Sequence, residues 1–332
     1  MLCTKIPEHN TNSIQITDML QIFKGALTYA PGIQSLLDRR GAGSTISASY
    51  CYGVWLKHLT LLWNSGMREI PNVVAEVGPG GSLGVGLAAL LSGSNKCVAL
   101  DVVEYANTQD NLRVFDELVT LFRARNARPT KGWPDFDQHL PPSKFPEHIL
   151  TDSVLEHSLS KDRVRAIREA ISTPGKSVDG ISINYHVPWD HERTIKQNSI
   201  DLILSHSTME HVENLERSYN AMSVWSAPNG WTSHQIDYSC HGLTKEWDGY
   251  RKYSELTWKI LKGKRLYLIN RAPHSFHRQC LTREGYVIKE QLLLQRNSQL
   301  AKKMLAKKWQ YLSDEDRKTE GSFMVGRLVS NS

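Results

Sequence analysis

Residues 73–91 read VVAEVGPGGSLGVGLAALL, and no other stretch limits the fold so tightly. A short run rich in β-branched residues reads as a buried strand, and GLAALL reads as a buried helix. Between them stand glycines 78, 80, 81, 84 and 86, which let a backbone turn sharply and let a ligand approach it closely. Six further apolar runs follow: KCVALD, GISINY, SIDLILS, GWTSHQID, YVIKEQLLL and SFMVGRLVS. Helical stretches separate most of them, and that alternation specifies an α/β protein with a doubly wound, Rossmann-like seven-stranded sheet.

Ahead of the first strand, ITDMLQIFKGALTYA and YCYGVWLKHLTLLWNSG carry apolar residues at helical spacing, with Gly66 as a stop. Residues 1–70 are therefore expected as an N-terminal helical layer and 71–332 as the main domain. Two insertions are expected in that domain, at about 105–178 and 240–280. The first contains the proline-rich GWPDFDQHLPPSKFPEH and the helical KDRVRAIREAIS.

The glycine elbow can be tested against phosphate-binding patterns. A dinucleotide fingerprint needs its third glycine where Leu83 stands, and Pro79 has no N–H to offer a phosphate. No Gly-Lys-Ser/Thr follows, so the P-loop pattern fails too, and both phosphate-cradling readings are weakened. The arrangement that remains, Glu76, Gly78, Gly80, resembles the first motif of class I S-adenosylmethionine-dependent methyltransferases, with Ser82 in place of the third glycine. Asp101 ends the second strand, where a carboxylate can accept from ribose hydroxyls. SIDLILS then leads into Glu210-His211-Val212 and Pro228-Asn229-Gly230, with Asn229 where the family usually has glycine.

More narrowly, YCYGVWLKHL, EVGPGGSLGVGLAALLSG and SHQIDYSCHG resemble a bacterial methyltransferase-domain group associated with surface-glycan or secondary-metabolite pathways. The likeness covers about 50–290. It implies S-adenosyl-L-methionine as cofactor, held by Glu76, Gly78, Pro79, Gly80, Ser82, Leu83, Asp101, Tyr185 and Ser205. The implied reaction is O-methylation of a sugar, glycan or specialised metabolite.

Open α/β sheets bind ligands beyond the carboxyl ends of their strands. That rule directs attention to His206 and to SHQIDYSCHG, with His234, Asp237 and His241. His234 is expected as general base, Asp237 as its orienting partner or a substrate ligand, and His241 as a second polar contact. With 13 histidines in the chain, each is equally open to a plainer surface or core role. Magnesium prefers oxygen ligands and matches two histidines poorly, so no metal is expected.

The net charge of +6 favours acidic partners, including a phosphorylated substrate. The basic and aromatic stretch 250–280 reads equally as a lid whose Arg271 contacts such a substrate or as a surface excursion. The densest basic run, Arg123, Arg125, Arg128 and Lys131, reads as a solvated helix end. The Asn/Asp-Pro-Pro-Tyr/Phe element of amine-methylating DNA enzymes is missing after the fourth strand, so nucleic acid is not the expected acceptor. Five cysteines without a C-x-x-C pair, no signal-like N-terminus and no membrane-length apolar stretch set a cytoplasmic expectation. Two rivals stand beside the methyltransferase: an NAD(P)-linked oxidoreductase, and a non-catalytic binding module on the same fold.

Overall fold

The structure is a computed structural model that describes residues 16–30, 44–129, 139–141, 144–189, 193–265 and 268–329. The chain divides into two compact units. The larger comprises Arg40–Tyr238, Ile269–Asn297 and Ser313–Ser332, and the smaller Met1–Arg39, Ser239–Leu268 and Ser298–Leu312.

The larger unit is built on one sheet. Its strands are β1 (Val73–Val77), β2 (Lys96–Leu100), β3 (Ser177–Val178), β4 (Ile181–His186), β5 (Ile200–His206), β6 (Ser226–Asp237), β7 (Tyr286–Gln295) and β8 (Thr319–Leu328), in the order β3-β4-β2-β1-β5-β6-β8-β7. From β4 to β6 neighbouring strands are parallel, while β8 pairs antiparallel with both β6 and β7. From β1 the chain winds outward through β2 to β4, then returns to lay β5 on the other side of β1. The topological switch point therefore lies between β1 and β5, beside the glycine elbow. The doubly wound α/β fold is present with all seven expected strands. The eighth, β3, is a two-residue arm that pairs antiparallel with β4.

Each sheet face is covered by helices. On one side lie α2 (Ala48–Asn64), α3 (Gly84–Leu91), α4 (Thr108–Arg123), α5 (Asp152–Ser158) and α6 (Lys161–Ser172), packed into the core that contains Val74, Ala99, Leu204 and Val325. On the other side α7 (Leu215–Trp225) and α9 (His274–Arg283) cover Ala75, Leu100, Ile203 and Ile236. Successive strand residues point to opposite faces, so each strand supplies both cores by turns.

Helix α2 starts at Ser47, whose hydroxyl accepts from the Tyr50 amide, and it is buried on nearly every side. That degree of burial suits a core helix. Two of its polar groups reach distant partners, while the Thr60 hydroxyl is buried without one. Tyr52 Oη donates to the Asn126 carbonyl at 2.6 Å, and Trp55 Nε1 donates to Ser92 Oγ at 2.7 Å. Arg128, expected to be solvated, is buried instead. Its guanidinium donates to the carbonyls of Leu140 and Pro129, both at 3.0 Å, which satisfies a cation that burial would otherwise penalise. Lys131 lies outside the described residues, as does much of the proline-rich segment.

The smaller unit pairs α1 (Ile16–Leu27) with α8 (Glu255–Lys262). Gly25 lies so close to α8 that a Cβ there would stand 2.1 Å from the Leu261 carbonyl oxygen. Thr28 fastens the contact by donating to the Gly25 carbonyl and accepting from the Lys264 amide. Buried Asp18 pairs with Lys252 at 2.6 Å. The expected 1–70 layer is thus divided, with α1 in this unit and α2 under the sheet. Helix α10 (Asp314–Lys318) brings the chain back into β8.

Candidate functional site

The elbow sits at the carboxyl end of β1. Gly78 and Gly80 have φ of 73° and 71°, in the left-handed region that costs most residues free energy. The Gly78 amide donates to the Leu100 carbonyl at 2.7 Å, tying the turn to β2. A Cβ on Gly78 would lie 2.4 Å from Thr208 Cγ2, so the turn is closed from behind by the loop after β5. Pro79 is buried in the turn.

Asp101 follows β2 and faces this turn. Its carboxylate accepts from the Val102 amide at 2.7 Å and from the Gly80 amide at 3.4 Å. Burial raises its proton affinity, while these amides and that of Val103 lower it. Tyr185 comes off β4 and holds the loop after Asp101, accepting from the Tyr105 amide at 3.2 Å and donating to the Val103 carbonyl. Trp189 belongs to the core, where it packs on Trp225.

At the start of a helix several amides have no intrahelical partner, and an anion commonly takes them. At α3 the protein takes them itself. Leu83 N–H donates to Asn111 Oδ1 at 2.8 Å, Gly84 N–H to Ser82 Oγ at 3.2 Å, and Gly86 N–H to the Glu76 carboxyl. Ser82 in turn donates to the Thr45 carbonyl and its amide donates to Thr45 Oγ1, so the serine at the third glycine position ties the turn Ser44–Ile46 to the elbow. Glu76 works from beneath the elbow rather than in the open cleft. It is 3% exposed, and burial pushes its carboxyl up to about 8, with Asp101 adding to the rise. Glu76 Oε2 is buried without a hydrogen-bond partner.

Of the four candidate catalytic residues, His206, His234 and Asp237 belong to the larger unit and His241 to the smaller. His234 is fully buried on the α7 side of the sheet, 5.7 Å from the Tyr219 ring by centroids. Its Nδ1 lies 2.8 Å from Ser205 Oγ, and Thr232 Oγ1 binds its Nε2. No ring nitrogen is left for a substrate, and burial holds the imidazole neutral, with its pKa lowered to about 3. Ser205 is spent in the same contact and is itself buried. His241 lies in the smaller unit, exposed and with φ of 50°.

His206 and Asp237 lie at the carboxyl ends of β5 and β6. Half-buried His206 has Nδ1 3.2 Å from His58 Nε2, and its ring meets Tyr50 and Phe323 edge-on. His58 Nδ1 is 2.7 Å from Ser233 Oγ. Asp237 faces Glu210, in the turn Met209–His211, whose carboxyl is driven well above the ordinary range by burial and then by Asp237. Both Glu210 oxygens are buried without a hydrogen-bond partner.

Sequence reasoning missed His58, Ser233, Asn111 and Thr208. One signal was available: strand alternation puts Ser233 and His234 on opposite faces of β6, so they cannot serve one site. Another was His58, a polar residue inside an otherwise buried helix, which requires a partner. Asn229 has φ of 63°, a conformation that asparagine tolerates better than most residues.

No protein-family model matches the chain, and neither does any curated protein. Among solved structures it is similar to a SAM-dependent methyltransferase from Methanosarcina mazei, at 9% identity and TM-score 0.43, over 81% of this chain and 97% of that one. It is also similar to an S-adenosylmethionine-dependent methyltransferase from Mesorhizobium loti, at 13% identity and TM-score 0.39, over 82% and 97%. A third is phosphoethanolamine N-methyltransferase 2 of Haemonchus contortus in complex with S-adenosyl-L-methionine, at 13% identity and TM-score 0.41, over 93% and 57%.

Proposed function

We propose that this chain is an S-adenosylmethionine-dependent methyltransferase that methylates a hydroxyl of a sugar, glycan or specialised metabolite. One observation carries the choice of ligand. The amides of Leu83, Gly84 and Gly86, which a pyrophosphate would use, already serve Asn111, Ser82 and a buried carboxyl. A dinucleotide would have to displace them to seat its phosphates at the helix start. A nucleoside without phosphates does not need those amides. That disfavours the NAD(P)-linked reading.

The residues fit the sulfonium nucleoside. Asp101 has the carboxylate and the place at the strand end to accept from both ribose hydroxyls, and the left-handed glycines let backbone approach the ligand. When bound, the cofactor supplies an electrophilic methyl group that passes in line to the acceptor oxygen, with a thioether leaving. The protein must then hold the acceptor over the ends of β1, β5 and β6 and receive its hydroxyl proton. His234 cannot receive it, because both ring nitrogens are bound. Asp237 takes that role in this proposal, with Glu210 beside it held neutral by burial.

Asp101→Ala is expected to weaken S-adenosylhomocysteine binding by about a hundredfold or more, the worth of two charge-assisted hydrogen bonds. Asp237→Asn is expected to keep that affinity and lower turnover by about 10²–10⁴. Unchanged turnover in Asp237→Asn would remove it as the base. If the folded protein binds S-adenosylhomocysteine yet forms none from the methyl donor with any acceptor, it is a binding module.

A further inference from the structure

His58, Ser233 and His206 form a chain of hydrogen bonds whose direction can be worked out. Ser233 is fully buried, and His58 is the hydrogen-bond partner of its hydroxyl among the described residues. Were His58 Nδ1 to carry the proton, the serine would accept it and leave its own hydroxyl proton buried with no acceptor. Such a loss costs about 1–3 kcal/mol. The serine therefore donates, and His58 Nδ1 is bare. A neutral imidazole carries one N–H, which must then be at Nε2, pointing at His206 Nδ1 3.2 Å away. That nitrogen accepts, which places the single proton of His206 on Nε2.

Both rings are neutral in this arrangement. Burial lowers the pKa of each, and Lys57 on α2 lowers both further; His234 on β6 acts on His58 in the same sense. Phe323 of β8 lies against both rings, and Tyr50 of α2 against His206, so no carboxylate is among these ring neighbours to reward protonation. His206 Nε2 makes no hydrogen bond within the described residues, and it is not among the buried polar atoms left without a partner. It is available at the carboxyl end of β5.

We infer that Ser233 and His58 are positioning residues that lock His206 as a hydrogen-bond donor, and that its Nε2–H receives an oxyanion of the acceptor, a carboxylate or a phosphate. An N–H on a neutral ring that feels the positive charge of Lys57 favours an acceptor-only, negatively charged oxygen over a hydroxyl that must lose a proton. That the oxyanion belongs to the methyl acceptor rests on the methyltransferase reading. The direction of the proton chain does not.

The test is the nitrogen-15 spectrum of the histidine rings in the intact protein without cofactor, followed during separate titrations with acetate and inorganic phosphate. The expected result is His206 with Nε2 protonated and Nδ1 bare, and a shift of the Nε2–H resonance with one of the two anions, which identifies the oxyanion. Ser233→Ala should mix the two His206 tautomers, and Ser233→Thr should restore the single one, a difference that loss of packing alone does not produce. A bare Nε2 in the wild type overturns the chain. A protonated Nε2 that neither anion moves overturns the oxyanion assignment. Calorimetry with S-adenosylhomocysteine on the same sample reports separately on the methyltransferase reading.

Discussion

Glu76 shows how one residue in a sequence motif can do different work from what the motif suggests. An acid before a glycine turn reads as a ligand for the cofactor's charged end, yet this carboxyl is buried against the Gly86 amide with its pKa at about 8. Its folded-state pKa is raised, so the folded state binds its proton more tightly than the unfolded one. Its contribution to stability is full below about pH 4.5 and is lost as pH rises toward 8. Glu76→Gln keeps an acceptor for Gly86 without an ionisable group. It is expected to remove about 1.4 kcal/mol per pH unit from the fall in stability between pH 6.5 and 8, read by thermal melts. A parallel slope in wild type and variant would show that Glu76 is ionised when folded. Gly78→Ala should cost about 1–3 kcal/mol, because alanine would need both the left-handed φ and the space held by Thr208.

Among elements, the strand runs were the most legible part of the sequence, because each is short, apolar and bounded by turn residues. The arm Ser177–Val178 was not legible, since two residues show no period. The elbow was readable as a turn, but the occupants of the helix amides were not, because Asn111 and Thr45 are brought there by α4 and by the turn before α2. The histidines were hardest to read. Whether His206 or His234 faces a ligand depends on the sheet face, and the partner of His206 is 148 positions away on α2. The departure at Ser82 gives a test at this scale. Ser82→Gly, which puts a glycine where the resembled motif has one, should lower stability by about 1–2 kcal/mol by untying Thr45 and the α3 amide. S-adenosylhomocysteine affinity should stay within a few-fold. A large loss of affinity would instead make the serine a cofactor contact.

For the whole molecule, the buried titratable groups predict a stability optimum. His58, His206, His234 and His277 all have pKa values lowered from 6.5, chiefly by burial, whereas Glu76 and Glu210 are raised from 4.5. A histidine with a lowered folded pKa leaves stability intact above about 6.5 and removes it as pH falls. Between 6.5 and 4.5 these losses outnumber the gains from the two carboxyls, and below 4.5 the carboxyls stop offsetting them. Above 6.5 the carboxyls alone act, and stability declines. The melting temperature should therefore peak near pH 6.5–7 and drop more steeply on the acid side. A profile flat down to pH 4 would contradict neutral, buried histidines.

The whole account depends on a cradle that accepts a nucleoside but not a pyrophosphate. Calorimetry of the folded chain with S-adenosylhomocysteine, and in parallel with NADH, tests that discrimination directly. The expected result is saturable binding of the first and none of the second. Binding of NADH, or no heat with either S-adenosylhomocysteine or S-adenosylmethionine, would contradict it.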